Sequence, residues 1–313
     1  MSIVSVLRGK GPSGFGYAST AEDVTAGLSL AGKTILITGC NSGLGHEAMR
    51  VLAGRGARIV AAARTVDKAR DAAAGLAGPV NGATIPVACE LSDPASVRAC
   101  VATVKASGAR LDAIICNAGI MALPKLHQAH GLELQFFTNH IGHFILVTGL
   151  LDDLAEDGRV VMLSSAAHMM APKGGIAFDN LSGERGYKGW VAYGQSKMAN
   201  LLFAKELARR FSGTSRTANA VHPGVINTNL SRNLGAPSWL LKAVFGLGDL
   251  IFLKSIPEGA ATECYAAVNP AAAAISGEYL ADSNIARPRA DANDPALAAR
   301  LWDVSEKIAA GLG

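Results

Sequence analysis

Apolar residues along the chain fall into short runs separated by longer amphipathic stretches. Thr34–Ile37, Arg58–Ala63, Ile85–Glu90, Leu111–Cys116, Arg159–Leu163 and Thr217–Val221 are the clearest runs. Short apolar runs bounded by turn residues predict strands buried on both faces. Between them, helical spacing predicts Gly43–Leu52, Asp67–Leu76, a helix opening at Ser92-Asp93-Pro94, Leu132–Leu154, Val191–Phe211 and a closing helix Pro295–Ala309. Gly277–Leu280 reads as a last strand, and Pro86 places its run at a sheet edge or strand start. Upstream, Ser19 and Glu22 have the spacing of a capping box, predicting a short helix that ends near Gly27.

Strands alternating with helices predict an α/β fold, a Rossmann-type doubly wound parallel sheet of about seven strands with helices on both faces. No linker or repeat divides the chain, so residues 19–313 are expected to form one domain, preceded by a loose glycine-rich arm, 1–18. Two segments interrupt the alternation, Ala166–Gly189 and Asn229–Ile256. Both follow strand C-terminal ends, where ligands bind in open α/β sheets. A substrate lid is expected within 229–256. That segment is apolar enough to serve instead as a membrane-contacting or subunit surface.

Composition narrows the class. Half of the residues are hydrophobic (50%) and only 17% are charged, which suits a large core and excludes extensive disorder. The net charge of +4 comes from scattered lysines and arginines, so nucleic acid is not an expected partner. The five cysteines include no Cys-x-x-Cys pair, which argues against a disulfide framework or zinc site, and no metal is expected. No uncharged apolar stretch reaches the roughly 18–20 residues of a membrane span, and the N-terminal apolar run is too short for a signal peptide. A cytoplasmic protein, monomer or homodimer, is the expectation.

The chemistry begins at Thr38-Gly39-Cys40-Asn41-Ser42-Gly43-Leu44-Gly45, between the first strand and the first helix. A pyrophosphate must approach backbone N–H groups at a helix N-terminus, and glycines clear its way. At the end of the second strand, a carboxylate would bind ribose hydroxyls and repel a 2′-phosphate. Ala63 and Arg64 stand there instead, and arginine matches phosphate with charge-assisted hydrogen bonds. NADP(H) is therefore the expected cofactor, and NAD(H) fits less well. Tyr193 and Lys197 share one face of a predicted helix. A phenol ionises at about 10, and a nearby ammonium favours its phenolate. The fifth strand ends Ser164-Ser165, which offers a hydroxyl to the same crevice, and Asn117-Ala118-Gly119 ends the fourth. Asn139 is a poor helix residue inside a helical pattern.

Together, Thr38–Gly45, Asn117–Gly119, the serine before Tyr193-x-x-x-Lys197, and His222-Pro223-Gly224 with Thr228 resemble the short-chain dehydrogenase/reductase family, in its order. GCNSGLGHEA, the stretch from Asn139 to Phe144, AYGQSKMANLLFAKELARR and AVHPGVINT resemble most the branch of retinol dehydrogenases and the oxidoreductase domain of the WW-domain oxidoreductase. The oxidoreductase domain alone is expected. The resemblance implies that Tyr193 is general acid in reduction and general base in oxidation. It implies that Lys197 assists Tyr193 and binds the nicotinamide ribose, that Ser165 polarises the substrate carbonyl, and that Asn139 holds a relay water. Implied cofactor contacts are Gly39, Asn41, Ser42, Gly43, Leu44, Gly45, Arg64, Glu90, Leu91, Asn117, Ala118, Gly119, Pro223, Gly224, Ile226 and Thr228. Glu90 departs from the family's aspartate, and Ser165 lies slightly further from Tyr193 than is usual in the branch.

His130, His140, His143 and His168 lie on different elements without ligand spacing, and are read as packing residues, with His168 also a candidate substrate contact. Met169, Trp190 and Trp239, with Ser165 and His168, are the expected substrate pocket, suited to a hydrophobic ketone or aldehyde. Two other functions share this fold: reduction of an enone-type C=C bond, and a non-catalytic NADP-binding sensor. Arg64→Ala is expected to raise the KM for NADPH about tenfold while leaving that for NADH nearly unchanged. Equal shifts in both, measured by steady-state kinetics, would remove the preference.

Overall fold

Alternate residues of a strand point to opposite faces, and here both faces are covered. The computed structural model describes residues 9–76, 83–226 and 253–312. Strands β1 (Thr34–Thr38), β2 (Arg58–Ala63), β3 (Thr84–Ala88) and β4 (Leu111–Cys116) come first. A small ribbon, β5 (Gln128–Ala129) and β6 (Leu132–Glu133), stands apart from β7 (Leu154–Leu163), β8 (Thr217–His222), β9 (Tyr279–Ala281) and β10 (Asn284–Ile285). The main sheet has eight strands in the order β10-β9-β8-β7-β4-β1-β2-β3. Its neighbours pair in parallel except β9 with β10. In β1, Ile35 and Ile37 enter one core while Leu36 enters the other; β4 repeats this with Ala113 and Ile115 against Ile114 and Cys116. Both sets are fully buried, which is why the runs lack polar alternation.

One core is covered by α1 (Ala21–Val24), α2 (Gly43–Gly54), α3 (Val66–Ala74) and α7 (Ile256–Val268). The other is covered by α4 (Pro94–Ala106), α5, α6 (Gly189–Arg210) and α8 (Pro295–Gly311). Helix α5 is built from a short turn Leu134–Phe136, a π segment Phe137–Ile141 and an α segment Gly142–Gly149. Strand order reverses between β1 and β4, so the loops leaving these two strands diverge and open a crevice at their C-terminal ends.

Several boundaries differ from the sequence reading. The box on α1 joins Thr20 to Asp23, with Thr20 N–H donating to the Asp23 carboxylate at 2.8 Å. Ser19 instead accepts from Gly16 N–H. The expected helix 132–154 is shortened at both ends. His130 and Gly131 take left-handed backbone (φ 51° and 77°) to turn the ribbon, and β7 starts at Leu154. The opening of β7 includes exposed Glu156 and Asp157 beside a register shift opposite β4, so it carries no apolar signature. Residues 9–18 are not a loose arm. Tyr17 is buried, Phe15 packs edge-on against Tyr265, and Asn284 bonds both Ser13 N–H and Phe15 C=O. Pro86 lies in edge strand β3, where a missing N–H is tolerated. Of the segment 229–256, 229–252 lies outside the described residues.

Glu263 on α7 is fully buried, and neither carboxyl oxygen has a hydrogen-bond partner among the described residues. Burial pushes its pKa up to about 8. The folded state thus holds this proton more tightly than the unfolded chain does. The resulting penalty is absent below the unfolded pKa of about 4.3, grows as pH rises toward 8, and is constant above that. Glu263→Gln is expected to raise the Tm by several degrees at pH 8 and hardly at all at pH 4.5, read from thermal melts across that range. A gain independent of pH would contradict this assignment.

Candidate active site

The crevice is lined first by the loop between β1 and α2. Gly39 and Gly43 take left-handed backbone (φ 71° and 59°). A Cβ on Gly45 would lie 2.4 Å from the Asn117 side chain and 2.6 Å from the Gly39 carbonyl, so glycine permits the helix to close on the neighbouring strand. A Cβ on Gly43 would meet nothing within 4 Å. That open space faces the first turn of α2, whose N-cap Ser42 makes no side-chain cap bond. Asn41 and Ser42 are exposed and Leu44 is buried. The arrangement is a backbone cradle for an anion, and the residues present fit the pyrophosphate of a dinucleotide.

The turn after β4 docks against this loop. Asn117 Nδ2 donates to the Thr38 carbonyl at 2.9 Å, and Ala118 N–H donates to Thr38 Oγ at 3.0 Å. A Cβ on Gly119 would lie 2.9 Å from Asn139 Oδ1 and 3.6 Å from Lys197 Nζ, so this turn passes between the two candidate relay residues. Arg64 is exposed at the end of β2, with no ion-pair partner among the described residues, immediately before the Thr65-capped start of α3. Glu90 accepts from both Ser92 N–H (3.2 Å) and Ser92 Oγ (2.9 Å), so one carboxylate oxygen is committed to its own turn. The Leu91 carbonyl lies where a Cβ on Gly142 would fall, packing this turn against α5.

Strand β7 and helix α6 place the reactive groups. The Ser164 hydroxyl donates to the Lys197 carbonyl at 2.8 Å, and Lys197 Nζ donates to the Leu163 carbonyl at 2.9 Å. Ser165 is then free to face the crevice beside Tyr193, and its hydroxyl accepts Ala167 N–H at 3.2 Å. Lys197 Nζ lies 5.6 Å from the Tyr193 ring centroid. Both groups are buried. Burial pushes the phenol up to about 12, opposed by the neighbouring Ser165 hydroxyl, and pulls the lysine down to about 8. The expectation that the ammonium would dominate the phenol is therefore corrected: desolvation dominates, and Tyr193 holds its proton at neutral pH.

Asn139 lies in the π segment of α5, fully buried. Its Oδ1 accepts from Ile120 N–H at 2.8 Å, and its Nδ2 donates to the Ile120 carbonyl and to Ser196 Oγ, each at 2.9 Å. Ser196 passes the link to the Tyr193 carbonyl at 2.8 Å. On the far side, Pro223, Gly224 and Ile226 follow β8, with Gly224 at φ 91° over the Lys254 stem. Lys254 N–H bonds the Val225 carbonyl, and its ammonium sits 2.6 Å from Asp282. Trp190 (45% exposed) stands edge-on to Tyr193 at 6.1 Å, and Met169 (57%) is exposed on the turn after Ser165. His168 does not join them. It is buried, its Nδ1 donates to the Ser165 carbonyl at 2.6 Å and its Nε2 accepts from Arg289 N–H at 3.1 Å, leaving no ring nitrogen for a ligand. Thr228 and Trp239 lie outside the described residues.

This strand order and crevice define a dinucleotide-binding α/β fold with a Ser–Tyr–Lys constellation. The family model described as short chain dehydrogenase matches residues 33–238, and the chain belongs to that family of oxidoreductases. It is 41% identical to "Short-chain dehydrogenase TIC 32 A, chloroplastic" of Brassica napus over 100% of both chains. It is 38% identical to Retinol dehydrogenase 11 of Mus musculus, over 90% of this chain and 87% of that one. A solved Mycobacterium paratuberculosis protein of uncharacterised function superimposes with a TM-score of 0.71 at 33% identity, covering 92% of this chain and 97% of the other. A metagenomic blue fluorescent protein in complex with NADPH superimposes with a TM-score of 0.61 at 25% identity, covering 81% and 97%. No helix among the described residues is long and apolar enough to cross a membrane.

Sequence reasoning missed Gly194. A Cβ there would fall 2.6 Å from the Ala167 carbonyl and 2.8 Å from Ala171 N, both backbone atoms of the turn that carries Ser165. Gly194→Ala is expected to push α6 off that turn, costing about 1–3 kcal/mol in stability and at least tenfold in kcat, checked by melts and kinetics. Unchanged turnover would mean that the helix and turn need not touch.

Proposed function

We propose that the chain is an NADP(H)-dependent oxidoreductase that interconverts a hydrophobic ketone or aldehyde and its alcohol, with Tyr193 as the proton-transfer residue. The observation that carries the reading is the Tyr193 phenol, buried, with Lys197 Nζ 5.6 Å from its ring and the Ser165 hydroxyl beside it, at the mouth of a dinucleotide crevice. The open cradle at Gly43 and the exposed Arg64, with no ion-pair partner among the described residues, support a dinucleotide carrying a 2′-phosphate. The NADPH complex among the structural neighbours and the retinol dehydrogenase names among the relatives agree with it. When bound, the cofactor supplies or accepts the hydride.

The chain's own residues do the rest. Ser165 donates a hydrogen bond to the substrate oxygen. Tyr193, protonated at neutral pH, gives its proton to that oxygen as charge develops on it, and takes it back in the reverse direction. Lys197, held by Leu163, lends positive charge beside the phenol, which eases its ionisation once substrate oxygen is in place. Both Asn139 amide hydrogens are committed, so a relay water would meet an acceptor lone pair of that residue rather than a donor. Met169, Met170 and Trp190, all exposed, suit an apolar substrate body.

The test is NADPH consumption with a panel of aryl ketones, aldehydes and enones, followed by product analysis. Carbonyl reduction is expected, with Tyr193→Phe lowering kcat by about 10²–10⁴. Saturation of the enone C=C bond instead, cofactor binding without any turnover, or full activity in the phenylalanine variant would each overturn the assignment.

A further inference from the structure

His143 lies on α5, fully buried, far from solvent and one helical turn beyond Asn139. Its Nδ1 is 2.9 Å from the main-chain carbonyl of Asn139. A carbonyl only accepts, so Nδ1 carries the hydrogen. Its Nε2 is 2.9 Å from Thr38 Oγ. Burial pulls its pKa down to about 4, with Lys197 adding repulsion, so the ring is neutral and Nε2 is bare. The Thr38 hydroxyl donates to it at 2.9 Å, a closer acceptor than the Ile115 carbonyl at 3.5 Å. That hydroxyl in turn accepts from Ala118 N–H at 3.0 Å. The result is one directed chain with every proton assigned: Ala118 N–H to Thr38 Oγ–H, to the His143 ring, to the Asn139 carbonyl.

The two ends of this chain belong to different halves of the site. Thr38 closes β1, and its carbonyl also receives Asn117, so it fixes the phosphate loop against the turn after β4. Asn139 sits at the middle of the π segment, where main-chain bonding is loosened relative to an α-helix. Its side chain holds Ile120 and Ser196, and through Ser196 the start of the Tyr193–Lys197 turn. A displacement of the phosphate loop would break the Thr38 bond, and a displacement of Asn139 would break the Nδ1 bond. An imidazole is rigid, so the two bonds cannot adjust independently.

We propose that His143 is a positioning residue that sets the cofactor loop in register with the proton-relay helix, by bridging Thr38 and the Asn139 carbonyl as its Nδ1–H tautomer. The proposal rests on the reading of the crevice as a nicotinamide site, and it assigns to His143 no contact with substrate or cofactor. A merely structural histidine would affect stability alone. A positioning one must alter what the loop binds, and must do so jointly with Thr38.

The first measurement is ¹⁵N NMR of the His143 imidazole in the unaltered protein at pH 7, which needs no variant to fold. The Nδ1–H tautomer is expected; an Nε2–H ring, or fast exchange between the two, overturns the assignment. The second is the Kd for NADPH, by fluorescence titration, of Thr38→Val, His143→Phe and the double variant. Each single variant is expected to weaken binding about tenfold, and the double no more than either alone, because all three break one link. Melting curves run beside the titrations report stability separately. A lowered Tm with unchanged Kd, or losses that multiply in the double variant, overturns the proposal. Neither readout requires turnover: failure of every carbonyl substrate would sink the proposed activity while these outcomes still decide His143.

Discussion

The site depends on a reciprocal clamp between the end of β7 and the middle of α6. Ser164 reaches from the strand to the Lys197 carbonyl, and Lys197 reaches back to the Leu163 carbonyl, which also receives Asn200 at 3.1 Å. Strand end and helix are thus cross-linked by three buried bonds within one helical turn. Buried polar groups are costly unless satisfied, so this clamp has few ways to slip. Everything else follows from it: Ser165 must face the crevice, because Ser164 faces the helix, and Tyr193 must lie over Ser165, because Lys197 is pinned one turn further on.

Burial is also what sets the chemistry. Removing a phenol and an ammonium from water disfavours the charged form of each, and the pair moves in opposite directions, to about 12 and about 8. The protein alone therefore stores a proton on Tyr193 and holds a lysine that is charged but weakly so. In the proposed reaction, such a donor gives up its proton only when a developing oxyanion and the neighbouring cation are both present. The same burial protects the pair from bulk water, which would otherwise screen the lysine.

What was legible in the sequence is what arises locally. The doubly buried strands announced themselves as unbroken apolar runs, because β1, β2, β4 and β7 send alternate residues into two separate cores. The glycines of the phosphate loop and the spacing of Tyr193 and Lys197 were visible because a turn and a helix face are short-range constraints. The π segment at Asn139 was not, since its composition is helical and only the bond to Ile120 explains the asparagine. The polar opening of β7 was invisible because its pairing lies across a bulge. Arg289 escaped notice altogether, although it clamps the turn after Ser165 through the carbonyls of Ala171 (2.6 Å) and Pro172 (2.8 Å). Contacts between residues so far apart in the chain leave no periodic trace in either segment.

Two histidines show how residue type alone misleads and geometry corrects it. His143 was read as a packing residue and His168 also as a substrate contact, yet each donates from Nδ1 to a main-chain carbonyl and accepts at Nε2. Burial lowers the pKa of both, so both are neutral bridges. One ties β1 to the Asn139 segment, and the other ties the Ser165 carbonyl to the segment before α8. A neutral imidazole suits such a place because it offers one donor and one acceptor on a rigid ring, whereas an amide or hydroxyl of the same reach can rotate out of line. The crevice is therefore braced at two places by the same device, and protonating either ring would set an N–H against the donor it now receives.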